Sequence, residues 1–209
     1  MTIEKGKDWG SQMELPTDSP VVSTDRELAQ HFTVSGDGVL VGPKIVGLCG
    51  PLPTNGDLAR TVSARGSETE LRSGQRTALP IDLAVVTFDG RTQVVSGSIV
   101  IRRPWWMGVV EGAMNASFLG EWNVTPAGHP NDGRFDVVRA ELSTSDRFKA
   151  KKRLLSGTHI PHPDITIRRL RSGEFTPDSR ASLWLDHHDF GHVDHVKFVV
   201  HPDATTIII

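Results

Sequence analysis

The residues with the greatest chemical potential lie near the carboxyl end of the chain. The carboxylates and imidazoles there are Asp186, His187, His188, Asp189, His192, Asp194, His195 and His201. These residue types bind zinc and other transition metals, so a metal-dependent enzyme that uses the cluster 186–195 is one interpretation. Consecutive side chains of a strand point to opposite faces, and the same composition is typical of a polar turn between two strands. We favour the turn.

Basic residues are concentrated in one part of the chain, and they are Arg147, Lys149, Lys151, Lys152, Arg153, Arg168, Arg169 and Arg171. Such a concentration can meet phosphate or an anionic membrane surface. It is equally typical of a solvated helix face followed by an edge strand that carries protective charge. The sequence leaves both interpretations open.

Two tryptophans and a methionine, Trp105-Trp106-Met107, follow the basic pair Arg102-Arg103. They could form an interfacial anchor or the wall of a ligand site. Aromatic residues at the end of a strand more often pack in a core, and we expect core packing here.

The composition sets limits on what positions these residues. The chain has 209 residues, 37% of them hydrophobic and 23% charged, with a formal net charge of -2, which excludes a wholly disordered chain and gives no electrostatic reason to expect nucleic acid as the partner. A single cysteine, Cys49, excludes a disulfide framework and a four-thiolate zinc site. No transmembrane segment and no secretory leader is evident, so we expect a cytoplasmic protein. Its basic segment could also place it at the periphery of a membrane.

The chain is dominated by short β-rich runs separated by turn residues. Two of these runs, within residues 81–101, meet at Asp89-Gly90, a strong hairpin signal. Further runs are Phe135–Leu142, Ile165–Leu170, Ala181–Leu185, Val196–Val200 and Thr205–Ile209. This pattern predicts a mainly β fold, an antiparallel β-sandwich over residues 30–209, after a flexible tail at 1–29.

One helix is predicted near residues 145–155. Ser143 and Ser145 offer N-cap oxygens, and Gly157 can end the helix. A single helical turn is also expected near Asp57–Arg60, within a long loop.

Several segments resemble, in their order along the chain, one known protein family. They are Trp122-Asn123-Val124-Thr125-Pro126, then 129–138 with Asn131-Asp132-Gly133, then Gly157-Thr158-His159, then Leu185-Asp186-His187-His188. This order resembles the C-terminal β-sandwich domain of the bacterial diacylglycerol kinase and lipid kinase family, which includes sphingosine kinases and is distantly related to NAD kinases. The resemblance covers roughly residues 45 to 209, and no single motif in it is highly specific.

The resemblance implies candidate catalytic residues and a missing part. The family's Asp-Gly-Glu corresponds to Asp186, His187 and His188, so Asp186 and His188 are the candidate catalytic residues, with His in place of Glu. We expect no room ahead of the sandwich for the family's nucleotide-binding N-terminal domain, and we therefore do not expect ATP as a cofactor of this chain alone. A histidine in place of Glu removes a fixed negative charge and would let the site accept an anionic ligand.

The resemblance also implies binding sites for a metal and a ligand. A structural Mg²⁺ would be held by the carboxylate of Asp132 and by the backbone carbonyls of His129 and Arg134. Hard oxygen ligands on a tight turn suit this ion, although Asp132 could equally cap its own turn. An upstream loop supplies the candidate ligand-binding residues Asn55, Gly56, Asp57 and Arg60.

Three functions remain open at this point. The first is a stand-alone lipid-kinase-type sandwich, non-catalytic alone, that binds a lipid, a phosphorylated metabolite or a partner protein. The second is an ATP-dependent diacylglycerol or lipid kinase completed by a separate nucleotide-binding domain or by a homo-oligomer. The third is the metal-dependent enzyme of cluster 186–195.

Overall fold

The computed structural model describes residues 9–50, 56–178 and 180–209, and strands dominate these residues. In chain order the strands are β1 (Ser11–Glu14), β2 (Val21–Val22), β3 (Thr33–Val34), β4 (Leu40–Val41), β5 (Ile45–Leu48), β6 (Gln75–Phe88), β7 (Arg91–Val95), β8 (Ser98–Arg102), β9 (Val110–Met114), β10 (Phe118–Leu119), β11 (Trp122–Asn123), β12 (Phe135–Ala140), β13 (Ile165–Leu170), β14 (Ser172–Phe175), β15 (Ser182–Leu185), β16 (His188–Gly191) and β17 (Val196–Ile208).

Two large sheets contain most of these strands. The first has seven strands, with the order β1-β6-β17-β5-β2, while β7 pairs with β6 and β14 pairs with β17. The second has six strands in the order β13-β12-β9-β8-β15-β16. All pairings in these sheets are antiparallel except those of β5 with β17 and β2. The predicted mainly antiparallel β fold is therefore confirmed.

The core lies between the two sheets. Phe88 and Phe198 of the first sheet pack in one buried cluster with Ile99, Phe135 and Leu183 of the second. A fully buried large apolar side chain contributes about 1.5–3 kcal/mol to stability. This layer therefore fixes the second sheet's inner face and leaves its other face to be covered by something else.

Among the described residues, four short α-helices accompany the sheets, namely α1 (Asp25–Gln30), α2 (Asp57–Thr61), α3 (Glu68–Leu71) and α4 (Thr144–Leu154), together with one 3₁₀ helix at Pro104–Trp106. The predicted helix near 145–155 is α4, and the Ser143 side chain caps it by accepting the Asp146 N–H. The helical turn expected near Asp57–Arg60 is α2. The sequence analysis predicted neither α1 nor α3.

The expectation of a loose tail over residues 1–29 is wrong for the described part of that segment. Strand β1 pairs with β6, and Leu28 of α1 is fully buried in a second core cluster with residues of the first sheet. Thr24 and Glu27 form a capping box at the start of α1, which supplies partners for orphan N–H groups of a very short helix. Residues 1–8 lie outside the described residues.

The hairpin and the last strand show how turn chemistry decides strand limits. Asp89 and Gly90 both have a positive φ, as a two-residue hairpin turn requires, and they join β6 to β7. The two predicted strands 196–200 and 205–209 form one strand instead, β17, with an irregularity between His201 and Thr205. Asp203 there has a φ of 52°, so the chain bulges and continues along the same sheet rather than turning back.

Candidate functional site

A tight hairpin presents the residues of the predicted Asp-Gly-Glu position. Leu185 of β15 pairs with His188 of β16, so Asp186 and His187 form the two-residue turn, with φ values of 44° and 63°. Asp and His carry the left-handed backbone of such a turn at some cost in strain. The pairing register decides which histidine side chain points towards the rest of the protein, and this is His187 rather than His188.

Asp186 is buried, and its carboxylate is saturated by backbone amides. It accepts hydrogen bonds from the N–H groups of Ser96 at 3.0 Å and of Gly97 and Ser98 at 2.9 Å each. Burial raises the pKa of Asp186 against the opposing effect of these three bonds. The carboxylate therefore fastens the hairpin to the turn between β7 and β8.

A second buried carboxylate, Asp25, lies beside the first. It accepts hydrogen bonds from the backbone N–H groups of Asp57, at 2.9 Å, and Leu58, at 3.1 Å, and so caps α2. Burial, and then the charge of Asp186, raise the pKa of Asp25 well above its ordinary value. A Cβ atom on Gly97 would lie 2.7 Å from Asp25 Oδ2 and 3.3 Å from Asp186 Oδ1, so the junction requires glycine there.

Asp57 joins the upstream loop to the hairpin. Its Oδ2 lies 2.6 Å from His187 Nε2, and its Oδ1 accepts the Gly120 N–H at 2.7 Å. The hydrogen bond to Asp57 raises the pKa of His187, so this pair is an ion pair when the imidazole is protonated. The ligand-loop residue Asp57 and the hairpin, both selected from the sequence, therefore do meet. We name the group Asp25, Asp57, Asp186 and His187 the acidic junction.

The other predicted residues of these two groups lie apart from the junction. His188 is exposed and packs edge-on against Phe190, with ring centroids 4.9 Å apart, so it does not converge with Asp186. Gly56 is the buried N-cap position of α2, and the guanidinium of Arg60 lies 5.6 Å from the ring centroid of Phe118. Asn55 lies outside the described residues.

The predicted magnesium loop closes on itself. Asp132 Oδ1 accepts the Arg134 N–H at 3.0 Å, and His129 Nδ1 accepts the Asn131 N–H at 3.2 Å. The Arg169 guanidinium lies 3.8 Å from Asp132 Oδ2 and supplies the positive charge that a cation would bring. These contacts fit a turn that is capped by Asp132 better than they fit a magnesium site.

Sequence reasoning missed Asp82, which holds this loop to the sheets. Its carboxylate accepts hydrogen bonds from the N–H of Gly133 at 2.6 Å, the N–H of Asp203 at 3.0 Å and the side chain of Asn131 at 3.4 Å. Burial raises the pKa of Asp82 to about 7. The signal in the sequence was a single Asp inside a long apolar strand, which indicates a paired buried group rather than a surface one.

The histidines of the cluster 186–195 have separate partners. His192 Nε2 lies 3.3 Å from Asp194, His195 Nε2 lies 3.2 Å from Glu174, and His187 contacts Asp57. Because these side chains share no common point, the metal-enzyme interpretation of this cluster is wrong for this structure.

One mixed group of possible ligands does form among the described residues, at the start of α4. Ligand atoms of Asp146, His162 and Asp164 lie within 4.8 Å of one another. However, Asp146 already bonds Ser143 Oγ at 2.7 Å and Lys149 Nζ at 2.9 Å. Asp146 is thus already engaged at the start of α4, and we assign the group no ligand.

A cavity of about 580 Å³ lies on the outer face of the six-stranded sheet. The strand residues Val138 and Ala140 point into it, while Phe135 and Val137 of the same strand face the core. Its apolar and aromatic lining comprises Val100, Trp105, Trp106, Met107, Val110, Met114, Leu119, Trp122, Val124, Val138, Ala140, Leu142, Phe148, Ala150, Leu154 and Ile165. We name this cavity the apolar pocket.

Helix α4 and the segment Pro104–Gly108 form the walls of the apolar pocket. Arg147 ties them together, since it donates to the carbonyl oxygens of Leu142 at 2.9 Å, Gly108 at 2.6 Å and Trp106. Trp106 packs edge-on against Trp122, with centroids 5.2 Å apart. The expectation of core packing for the tryptophan pair is therefore wrong: Trp106 is a pocket wall, and Trp105 faces solvent.

A smaller cavity of about 350 Å³ lies between α1, β3, β7 and the hairpin. Its lining is more polar and includes Arg26, Gln30, Thr92, Gln93 and Asp186. Asp186 of the predicted hairpin site lines this cavity, but neither His188 nor Asp57 does.

Comparison with known proteins places the fold. No known family profile matches the sequence, and no curated protein matches it. A crystal structure of a Bacillus anthracis protein assigned as a diacylglycerol kinase superposes with a TM-score of 0.55 at 12% identity, covering 79% of this chain and 78% of that one. A second such structure gives 0.54 at 12% identity, with 78% and 68% covered.

The chain has the diacylglycerol kinase-like fold. At this level of identity the likeness concerns the fold alone. It confirms the fold that the resemblance of the sequence segments implied, and it says nothing of ligand or activity. Among the described residues, no helix is long and apolar enough to cross a membrane.

Proposed function

We propose that this chain binds an amphiphilic lipid whose acyl chain occupies the apolar pocket. The observation that carries the proposal is the pocket itself: about 580 Å³, lined mostly by aliphatic and aromatic side chains. Small-molecule sites have volumes of this order and a lining of this kind.

The expected affinity follows from the area that an acyl chain would bury. Each methylene transferred from water contributes about 0.8 kcal/mol, so a chain of about fourteen carbons contributes about 11 kcal/mol. Association costs at least about 4 kcal/mol in lost freedom. The remainder is therefore at most about 7 kcal/mol, which corresponds to a dissociation constant of about ten micromolar or weaker.

The charges around the pocket favour an anionic head group. Lys151 lines the pocket and is exposed, so its ammonium group can reach a carboxylate or phosphate at the entrance. The acidic lining residue Glu111 is already paired with Arg139 at 2.6 Å. A fatty acid or a phosphorylated lipid therefore suits the entrance better than a cationic amphiphile.

The proposal assigns no phosphoryl transfer to this chain alone. A catalytic carboxylate must be available to the acceptor hydroxyl, whereas Asp186 is buried and bonded to three amides. The alternative is an ATP-dependent lipid kinase completed by a separate nucleotide-binding domain. What supports it is the fold shared with proteins assigned as diacylglycerol kinases.

A titration with a naturally fluorescent fatty acid tests the binding proposal. We expect saturable binding by the full chain, and at least a tenfold loss in Ala140→Trp, whose new side chain fills the pocket. Thr166→Trp is the matched control, because Thr166 is exposed on the neighbouring strand. Equal affinity of the two variants would overturn the proposal. Phosphate transfer from ATP to diacylglycerol by the purified chain would contradict the absence of phosphoryl transfer by this chain alone, and transfer only after addition of a nucleotide-binding domain would favour the kinase alternative.

A further inference from the structure

Large apolar side chains are exposed beside the entrance of the apolar pocket. Trp105 is 90% exposed, Phe148 68%, Leu155 59% and Met107 48%. Three of them, Trp105, Met107 and Phe148, also line the pocket, and Leu155 follows the last residue of α4. Single exposed apolar residues are ordinary, but a group of them around one opening indicates an interaction surface.

The same part of the molecule is strongly basic. Residues 144–155 contain five basic residues and one acidic residue, Asp146, although the whole chain carries a net charge of -2. Lys149 is paired with Asp146 at 2.9 Å. Lys151, Lys152 and Arg153 are exposed and have no ion pair within the part of the chain that the structure describes.

Helical spacing interleaves these two kinds of residue. Phe148, Lys151, Lys152 and Leu155 occur at spacings of three, four and seven, so they share one outward face of α4. Arg147 fixes the helix against the Trp105 segment through its bonds to Trp106 and Gly108. The segment that carries Trp105 and the basic face of α4 are therefore held together as one surface.

We propose that this surface docks the protein on an anionic lipid bilayer. The docking surface consists of Trp105, Met107, Phe148, Lys151, Lys152 and Leu155. Its apolar side chains enter the boundary between head groups and acyl chains, and its lysines contact anionic head groups. The proposal goes beyond the ligand of the apolar pocket and does not require it. If both hold, docking turns the entrance towards the membrane.

The mixture of residue types favours a bilayer over other anionic partners. Nucleic acid binding is dominated by phosphate contacts from basic residues and gives no role to Leu155 or Met107. Tryptophan and lysine together are typical of the membrane interface, where each side chain keeps an apolar body in lipid and a polar end in water. An acidic protein partner would engage the lysines, and the experiment separates that case.

Vesicle co-sedimentation of the full chain tests the proposal. We expect binding to phosphatidylcholine vesicles that contain phosphatidylglycerol, and at least tenfold weaker binding to phosphatidylcholine alone. Lys151→Glu with Lys152→Glu should weaken binding to the anionic vesicles at least tenfold. The matched charge control is Lys44→Glu with Arg65→Glu, two exposed residues elsewhere, and it should change binding less than twofold.

A second variant tests the apolar contribution. Trp105→Ser should weaken vesicle binding severalfold and leave folding intact, because the side chain is almost wholly exposed. Val199→Ser, at a half-exposed position of β17, is its matched control and should have no effect.

Three results would overturn the docking proposal. They are equal binding to neutral and anionic vesicles, equal losses in the two charge-reversal pairs, and unchanged binding of Trp105→Ser, which would indicate a contact with any polyanion, an acidic protein included. The Ala140→Trp variant separates this proposal from the previous one, since it should lose the fatty acid and keep vesicle binding.

Discussion

The acidic junction and the apolar pocket use the same fold in opposite ways. In the acidic junction, nearly every polar group has a partner inside the molecule: Asp186 binds three amides, Asp25 binds two, and Asp57 binds His187 and Gly120. In the apolar pocket, aromatic and aliphatic side chains surround a cavity of about 580 Å³. The first region has satisfied its chemistry internally, and the second leaves room for a ligand.

This difference teaches which region to assign to structure and which to function. Buried carboxylates with complete sets of hydrogen bonds hold elements together, since each amide left unpaired would cost free energy. An empty apolar cavity does not stabilise the fold, because the side chains that line it lack packing contacts on the cavity side. The residues that most resemble a reacting site thus act as a structural joint, and the proposed ligand site is the apolar pocket on the outer face of the second sheet.

The largest effect is expected from removing the centre of the acidic junction. Asp186→Ala leaves three buried N–H groups without an acceptor, at about 1–3 kcal/mol each, and relieves some repulsion from Asp25. We expect a net loss of about 4 kcal/mol in the free energy of unfolding, measured by urea denaturation. Asp189→Ala, an exposed residue of the same hairpin, should cost less than about 0.5 kcal/mol. A stable Asp186→Ala protein would mean that the junction is not a structural joint.

The next effect concerns pH and Asp82. Its pKa of about 7 in the folded chain lies above its ordinary value of 3.8, so the folded state binds the extra proton between these values. Stability contributed by this group is therefore highest near pH 4 and falls as the pH rises to about 7. We expect Asp82→Asn to flatten the stability profile by up to about 4 kcal/mol over this range, since each pH unit between the two pKa values is worth about 1.4 kcal/mol.

Comparing the stability profiles of the wild type and of Asp82→Asn separates the effect of Asp82 from that of other titrating groups. The raised pKa values of Asp25, Asp186 and His187 also make stability fall as the pH rises. The lowered pKa of His129 makes stability rise with pH. The exposed Asp18→Asn variant is the control. Parallel profiles for Asp82→Asn and the wild type would contradict the assignment.

The smallest effect distinguishes two neighbouring histidines. Because the pKa of His187 is raised by Asp57, its contribution is fully present below the unfolded pKa near 6.5 and disappears as the pH rises through the folded value. We expect His187→Gln to cost about 1 kcal/mol at pH 6 and less at pH 9. His188→Gln, at an exposed position, should change stability by less than about 0.5 kcal/mol. A larger loss of stability in His188→Gln than in His187→Gln would indicate that His188, and not His187, faces the acidic junction.

Local signals in the sequence predicted much of the fold. Asp89-Gly90 indicated its hairpin because few residue pairs accept two consecutive positive φ values. Ser143 and Gly157 bounded α4 through capping chemistry. Helix α1 was missed because six residues are too few to show helical periodicity, although the capping box Thr24-x-x-Glu27 was a readable signal.

The candidate site was harder to predict, for two physical reasons. Val137 and Val138 are both apolar, so strand β12 shows no alternation that would separate its core face from its pocket face. The choice between His187 and His188 depends on the pairing of Leu185 with His188, and a shift of one residue exchanges the two faces of a strand. Neither fact is encoded in residue type alone.

Photo-crosslinking tests the central claim most directly, because it maps the ligand instead of only detecting it. A palmitate analogue with a diazirine near the chain end should label the purified chain within residues 100–124 and 138–165, with competition by unlabelled palmitate and loss of labelling in Ala140→Trp. Labelling that falls instead on residues 26–34 and 92–94, around the smaller cavity, would contradict the account.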